Sequence, residues 1–551
     1  KLMIGIFIQN QNGTWQGLDM PSNITFSGEL LNPMFRTEIG ASSYTYPITV
    51  PASERNNRVL QHVNIANVIQ LPQKGRIDIG GVTFLEGDVL ITAANAKSIS
   101  ISIVSNRPNN KWLETLLPDI DMGTYTMVSG SRNTYAMAVA NNPVYGAGYD
   151  FAYVPHMNQM FTGTLVPNQV MNLFLFGSEF HNANDLPFVY LMASLKAIAN
   201  NNGLTLAGSF VSNEEMRRLL VFNTRKVRIN PSTGDDEIDL SLHLPNVSIR
   251  EYLQGLNSYL NLVTRIDHIS GQLIIDLNID DINNFVFQDW TKKVEPNISI
   301  EPQPQTGWTM NIGIDSNDSL FENMDKMVLN LSRVKGSVPN PASLPITANR
   351  GDVYYISSLH KWGVWNGAWR ITSYGEAPTL IVGEGAKQIS TIFSAPRMRK
   401  FTPVGAFQQT MPEVSMLGNT YSSATTQDEN PFSSRLLFFR GMKQGGGANL
   451  YPMASNDVYD NDGTKIPEAN HSLNWAGEYG LYEKRYKRWL QLLEGKRCTF
   501  IAPNLSIGDL LSLQITKKVW IRDAEYYIVS MPYTINKHGN VRATIKCLYI
   551  S

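Results

Sequence analysis

Phe26-Ser-Gly-Glu-Leu-Leu-Asn-Pro-Met-Phe35, then Ser42-Ser-Tyr-Thr-Tyr-Pro-Ile-Thr-Val-Pro51 and Glu54-Arg-Asn-Asn-Arg58, is the stretch on which the fold reading turns. From Ser43 to Pro51 the residues alternate strictly. Tyr44, Tyr46, Ile48 and Val50 fall on one face and Ser43, Thr45, Pro47 and Thr49 on the other, as the two-residue period of a half-buried strand requires. Pro47 has no N–H to give to a ladder, which predicts an edge or interface strand. An aromatic-rich edge of this kind is a natural surface on which copies of a chain can pair.

The same texture runs outward on both sides. Leu2 to Ile8 reads as a first strand before the Asn12-Gly13 turn, and Asn32-Pro33, Gly80-Gly81 and Glu86-Gly87-Asp88 read as further turns. Ile99, Ile101 and Ile103 alternate with serines. Residues 1–110 are therefore expected to form a β domain. Residues 111–225 change character, with Gly- and Asn-rich segments and a helix expected from Leu186 to Asn202, capped by Asp185 and closed by Gly203. In residues 226–335, Ile238, Leu240, Leu242 and Leu244 alternate as a strand. Ser248-Ile-Arg-Glu251 is a capping box ahead of the stripe Tyr252, Leu253, Leu256, Tyr259 and Leu260. A hairpin follows around Ser270-Gly271.

Residues 336–400 read as an inserted aromatic β segment, with an Asn366-Gly367 hairpin turn among Tyr354, Tyr355, Trp362, Trp365 and Trp369. The last segment, 401–551, is expected to open with long mobile Gly-rich loops around Gly445 to Gly447. A helix over about Glu478–Glu494 then precedes a terminal hairpin of Tyr527–Ile535 with Val541–Tyr549.

Composition narrows the function classes. The chain has 551 residues, of which 43% are hydrophobic and only 17% charged, against about 25% charged in average soluble domains. That balance suits a β-rich protein whose surface meets other subunits. With 46 basic and 47 acidic residues there is no cationic field to grip nucleic acid. Two cysteines, Cys498 and Cys547, are too few for a disulfide framework and are expected to be buried thiols. No window reaches the roughly 18 apolar residues of a membrane helix.

Three blocks, about residues 20–105, 186–300 and 475–551, together resemble the tail or baseplate hub proteins of Bacteroidetes phages and prophages. They carry the stretch quoted above, the strand–helix–hairpin order ending in Asp280-Asp281-Ile282, and the closing series of helix, Ile507-Gly508-Asp509-Leu510, Trp520-Ile521-Arg522-Asp523 and hairpin. The resemblance implies an α+β, mainly β fold of tube-like β-barrel domains with inserted α+β domains. It implies a homotrimer that adapts the tail tube to the spike within the baseplate, with DNA passing through a lumen without specific binding. It further implies a virion component, assembled in the bacterial host cytoplasm, with no stable membrane insertion. The insert at 336–395 and the Gly-rich loop depart from the family's simplest pattern.

Signatures of chemistry are sparse, and the chain is expected not to be an enzyme and to carry no cofactor. None of the eight histidines has a second at metal-ligand helical spacing, and His181 and Glu179 read as neighbouring polar residues on the surface. There is no Gly-x-Ser-x-Gly elbow, and Gly441 to Gly447 lacks the Gly-Lys-Ser/Thr of a phosphate loop. The acidic run Asp457, Asp460, Asn461 and Asp462 fails the calcium-loop register, because a turn at Gly463 puts Ala469 where the bidentate Glu belongs. Lys484, Arg485, Lys487 and Arg488 read as a solvated or subunit-facing helix side. Trp362, Trp365 and Trp369 could stack on sugar rings, although a small segment also needs large aromatics for its core. They make a glycan-binding surface or adhesion protein the alternative function. A tail-associated cell-wall hydrolase, with two carboxylates that no motif places, stands behind it.

Overall fold

The computed structural model describes residues 4–21, 24–36, 39, 44–65, 71–104, 111–128, 131–175, 179–180, 186–267, 270–282, 287–322, 328–371, 379–394, 396–421, 428–447, 449–460, 463–536 and 540–550. The fold is mainly β, with short helices. The chain forms two units: residues 1–110, 263–304 and 488–551 make the first, and 111–262 with 305–487 the second. Of the five segments read from the sequence, 1–110 lies in the first unit, while 401–551 is divided between the two.

The first unit is built on one 14-stranded sheet. Its strands are β1 (Ile4–Gln9), β2 (Trp15–Gly17), β3 (Phe26–Leu31), β4 (Tyr44–Thr45), β5 (Ile48–Pro51), β6 (Lys74–Ile79), β7 (Val82–Ala94), β8 (Ser98–Val104), β9 (Phe287–Asp289), β10 (Ile298–Glu301), β11 (Arg497–Leu505), β12 (Lys518–Ile521), β13 (Ala524–Ile535) and β14 (Val541–Tyr549). The main path runs β2-β1-β6-β7-β8-β4-β3-β13-β14-β11-β10, with β5 beside β8, and β12 joining β13 and, in parallel, β9. Strands from both ends of the chain thus share one sheet, because β3 pairs with β13 from Phe26↔Ile535 to Leu31↔Ser530. Among the described residues the path ends at β2 and β10 and does not close into a barrel.

The period-2 signals point inward as expected. Ile99, Ile101 and Ile103 are fully buried, and so are Val541, Ala543, Ile545 and Cys547. Cys498 and Cys547, 49 positions apart, sit opposite each other across β11 and β14 as free buried thiols. The β6–β7 turn has Gly80 at φ +62° and Gly81 at φ +84°, the left-handed pair of a two-residue hairpin.

Two local expectations in this unit, and a third on the helix that runs from the second unit into it, are corrected. The alternation at 43–51 breaks at Tyr46-Pro47: Thr45 is buried, Tyr46 is 42% exposed, and Ile48 and Val50 turn inward again on a separate strand. The Thr45 hydroxyl accepts the Ile103 N–H at 2.9 Å, so a side chain carries the ladder where proline interrupts it. Ser43 lies outside the described residues. The second correction is Glu86-Gly87-Asp88, which is no turn but the middle of β7, facing Arg76, Gly75 and Lys74. Lys74 Nζ lies 2.7 Å from Asp88 Oδ1, so opposite charges line up across the strands. The third is the helix at Glu478–Glu494, whose second half, Lys487–Leu493, is α-helical while Tyr482–Tyr486 is a π-turn. The extra residue in that turn rotates Arg485 to the inner side, where it is 4% exposed.

In the second unit, Ile249–Leu260 is the best-specified helix. Ser248 Oγ accepts the Glu251 N–H at 3.2 Å and Glu251 Oε2 accepts the Ser248 N–H at 3.0 Å, and the Tyr252, Leu253, Leu256, Tyr259, Leu260 stripe is buried. The helix expected at 186–202 starts later, at Leu191. Pro187–Tyr190 is instead a wholly buried strand, consistent with three β-favouring side chains behind a proline. Asp185 lies outside the described residues. The strand read through Leu244 ends at Asp239, whose carboxylate accepts the Ser241 N–H and hydroxyl and turns Leu240–His243 into a 3₁₀ segment. Residues 401–462 hold more than loops: Gln409–Val414, Leu436–Gln444 and Leu450–Ser455 are strands, most of whose residues are buried. Gly445 to Gly447 is a tight connection between the last two, in which the Gly446 N–H donates to Gln408 O at 2.9 Å.

Asn32, fully buried just after β3, donates to Ile515 O at 2.8 Å and Ile528 O at 2.7 Å while accepting from Met34 N at 3.0 Å. Replacing it strands two buried carbonyls. Asn32→Ala is expected to lower stability by roughly 2–3 kcal/mol, read as a fall in the urea midpoint without a change in slope. An unchanged midpoint would show that the staple contributes nothing.

Candidate functional site

The three tryptophans lie on a four-stranded sheet of Val334–Val338, Val353–Ile356, Lys361–Trp365 and Trp369–Ile371. The Asn366-Gly367 turn is where expected, with Gly367 at φ +85° and the Asn366 N–H donating to Ala368 O. The register divides the aromatic residues between two faces. Trp365 is opposite Trp369 and Tyr354 is opposite Gly363, which places these on one face, while Tyr355 and Trp362 pair on the other. The structure thus brings Trp365 and Trp369 together and sets Trp362 apart from both.

The Trp365 and Trp369 rings are 5.2 Å apart at 66°, and Tyr354 meets Trp369 edge-on at 5.5 Å. Both tryptophans are half-buried. The Trp369 indole donates to Pro345 O at 2.5 Å. Trp369 and Leu344 close over Gly363, where a Cβ would be in ordinary contact with each at 3.5 Å. Trp362 belongs to a different chain of contacts. It lies 5.0 Å from Tyr355, whose hydroxyl bonds His360 Nδ1 at 2.8 Å, and the His360 ring stacks on Tyr459 at 3.8 Å and 6°. Only the Trp365–Trp369 face therefore retains the geometry of a stacking surface.

Titratable groups gather elsewhere in this unit, in networks the sequence did not reveal because most of their partners are more than a hundred residues apart. Glu215 Oε1 accepts from Arg440 Nη1 at 2.8 Å and from the backbone N–H groups of Asn470 and His471 at 3.0 and 3.1 Å. Glu215 Oε2 meets His471 Nδ1 at 2.6 Å. Burial pushes the Glu215 carboxyl up, but the His471 hydrogen bond, the Arg440 charge and the Asn470 N–H more than offset it and hold the pKa at about 2. A carboxylate with four donors has little basicity left for proton transfer, and no nucleophile faces it in these contacts. Its work is to tie 470–471 to Arg440.

Arg435 is fully buried, with Nη2 3.0 Å from both Asp315 and Asp318. Burial raises the Asp318 carboxyl even with that guanidinium beside it. Glu413, 1% exposed, is held by Arg399 at 2.8 Å and Gln159 at 2.9 Å. In the acidic run read for calcium, Asp457 is half-buried and accepts from Val458 N and Asn474 Nδ2. Asn461, Asp462 and His181 lie outside the described residues. Among the described residues no group of three or more His, Cys, Asp or Glu is gathered as a metal would need.

No family model and no curated protein matches the chain. Solved structures that align with it include three tail proteins. The 43 kDa tail protein of prophage MuSo2 from Shewanella oneidensis aligns over 99% of this chain and 97% of its own, at 9% identity and a TM-score of 0.33. A tail protein from Neisseria meningitidis aligns over 99% and 96%, at 7% identity and 0.28. A prophage tail protein from Listeria monocytogenes aligns over 98% and 94%, at 8% identity and 0.33.

The depressed Glu215 pKa fixes a sign. Stability from this group is complete above the usual carboxylate range, near pH 4.5, and is lost as pH falls towards 2. Glu215→Gln is expected to cost up to about 3 kcal/mol at pH 7 and to flatten the fall in stability between those pH values. Equal slopes for variant and parent in urea melts across that window would refute the assignment.

Proposed function

We propose that the chain is a structural component of a phage tail, a baseplate hub protein that adapts the tail tube to the spike as a homotrimer and forms part of the channel for DNA ejection. The observation that carries this reading is the open edge of the 14-stranded sheet. β10 (Ile298–Glu301) pairs with β11 on one side, is exposed along its whole length, and presents Ile298 and Ile300 at 36% and 52% exposure. A β-branched edge without a lysine or an inward charge is what natural proteins avoid unless another strand covers it. The single-sided β5, beside exposed Tyr46, is a second such edge. Near-neutral charge fits a conduit that must release phosphates. Among the described residues no helix is long and apolar enough to cross a membrane.

A second reading, a glycan-binding surface protein, draws on the half-buried Trp365–Trp369 face alone. Glycan-array binding abolished by Trp365→Ala with assembly intact would favour it over the first.

The test of the hub reading is assembly. Mass photometry of the purified chain is expected to show threefold particles, and Ile300→Lys to shift them towards monomer by about tenfold in dissociation constant. A chain that stays monomeric at every concentration would overturn the proposal.

A further inference from the structure

Cys498 on β11 and Cys547 on β14 are directly opposed in an antiparallel ladder. Opposed residues point to the same face. Here it is the inner one, with Phe500 and Ala502 following Cys498 and Ala543 and Ile545 preceding Cys547, all buried. The spacing of the pair follows from the ladder. The Tyr549 N–H donates to Lys496 O at 3.0 Å, which makes Lys496 and Tyr549 a hydrogen-bonded pair. Such pairs recur at every second residue, so Cys498 and Cys547 form the next one, with Cα atoms about 5.5 Å apart. Disulfides favour about 5.5–6 Å. The ladder itself therefore supplies the separation that an S–S bond needs.

The two sulfurs share one environment. Burial pushes the Cys547 thiol well above its ordinary value, and Cys498 beside it pushes the same way. The Tyr526 hydroxyl, raised first by its own burial, is raised further by both cysteines. The two positions differ in their surroundings. Cys498 pairs with Ile300 of β10 at the open end of the sheet, and Ile300, on the same face, is 52% exposed. Burial raises the Cys498 thiol as well, but the Lys496 ammonium opposes that rise. Cys498 is thus the thiol an oxidant meets first, with Cys547 directly across the ladder to complete the bond.

We infer that Cys498 and Cys547 are a modification site, a dithiol that a small disulfide oxidant converts to an intramolecular disulfide within the folded chain. The Cys498 thiol gives its proton to solvent, and the thiolate attacks one sulfur of the oxidant. The oxidant's S–S bond breaks, a mixed disulfide forms, and one small thiolate leaves. Cys547 then gives up its proton and attacks the Cys498 sulfur. The mixed disulfide breaks, the protein S–S bond forms, and the second small thiolate leaves. The two thiolates take up the two protons, so the protein is oxidised by two electrons and the oxidant is reduced to two thiols. The product ties β11 to β14 at the end of the sheet that carries the exposed β10. It also closes the chain from Cys498 to Cys547 into a loop, which removes freedom from the unfolded state. The inference does not depend on the tail reading.

Exposure of the folded full chain to oxidised glutathione in mildly alkaline buffer, followed by an acid quench and a thiol count in denaturant, tests this. The two free thiols of the chain are expected to fall to none, with the intact mass lower by two hydrogens and no cross-linked chains on a non-reducing gel. Peptide mapping is expected to recover the segments holding Cys498 and Cys547 joined to each other. Cys547→Ser is expected to stop at the mixed disulfide, with one glutathione per chain on Cys498, and Cys498→Ser to take up glutathione at least about tenfold more slowly. The oxidised parent is expected to unfold at a higher urea midpoint than the reduced one, a rise absent from both serine variants. If a variant does not fold, the parent's thiol count and peptide map decide. Two thiols that persist in the folded chain, or a disulfide that forms only in urea or only between chains, overturn the inference. Equal uptake rates in the two variants overturn Cys498 as the attacking thiol, and an unchanged midpoint overturns the tie between β11 and β14.

Discussion

The pairing of β3 with β13 is the constraint on which the first unit depends. Phe26 lies opposite Ile535, and between them the chain passes through the whole of the second unit. Without that ladder the strands of residues 4–104 and those of 497–549 would be two separate sheets, each with an exposed apolar edge. Such a contact returns nothing until almost the entire chain is present, because the entropy of closing the loop must be met before the strands meet. Asn32 sits at the end of this ladder and fixes it to the Ile515 and Ile528 carbonyls. A saturated amide at the point of longest sequence separation favours one register over its neighbours, since a one-residue slip would leave all three of its partners unmatched.

The second unit relies on ions where the first relies on apolar alternation. Arg435 between Asp315 and Asp318 and Arg440 on Glu215 are buried pairs. Desolvation makes such pairs weak contributors to net stability, yet removing one partner leaves a bare charge and costs several kcal/mol. Each joins segments far apart in sequence, so their effect is to penalise wrong arrangements more than to deepen the right one. They also change the meaning of the low charge content. With several of the charged side chains consumed inside, the outer surface carries fewer still, and its polarity falls to Asn, Ser, Thr and Tyr.

Local signals were legible where one period or one turn decided the outcome. The isoleucines of Ser98–Val104, the Val541–Tyr549 face, the Ser248–Glu251 capping box and the Asn366-Gly367 hairpin all needed only neighbours within a few residues. The reading failed where a distant partner overrode local chemistry. Glu86-Gly87-Asp88 has turn composition but finds Lys74 and Arg76 across a ladder. Arg485 looks solvated until a π-turn moves it inward. The Gly-rich stretch after Leu436 looked like loop because nothing local shows that Leu436–Phe439 packs between the Leu219–Val221 and Leu450–Ser455 strands. Of the tryptophans, spacing alone could place Trp365 and Trp369 across a hairpin, but the separation of Trp362 onto the other face follows from its cross-strand register with Tyr355. The Glu215 and Arg435 networks had no sequence signal, since each joins segments distant in the chain.

The two ends of the large sheet are not equivalent, and this limits how copies could meet. β2 is three residues long, and the Arg76 guanidinium covers its Trp15 ring at 4.7 Å and the Phe7 ring at 5.1 Å. A short strand guarded by a cation is a blunted edge. β10 has no such guard. A twofold dimer could satisfy β10 by pairing it with its own copy, but a ring of odd order requires a heterologous contact in which β10 meets a different edge. With β2 blunted, the strands paired on one side only among the described residues are β9, beside β12, and β5, beside β8 with Tyr46 exposed at its start. The proline that splits the Tyr44–Pro51 run would then have a use. The contact with β3 ends at the Tyr46 N–H, which donates to Ser27 O at 2.8 Å, and among the described residues Ile48–Pro51 pairs with β8 alone, leaving its outer side to a strand from outside the chain.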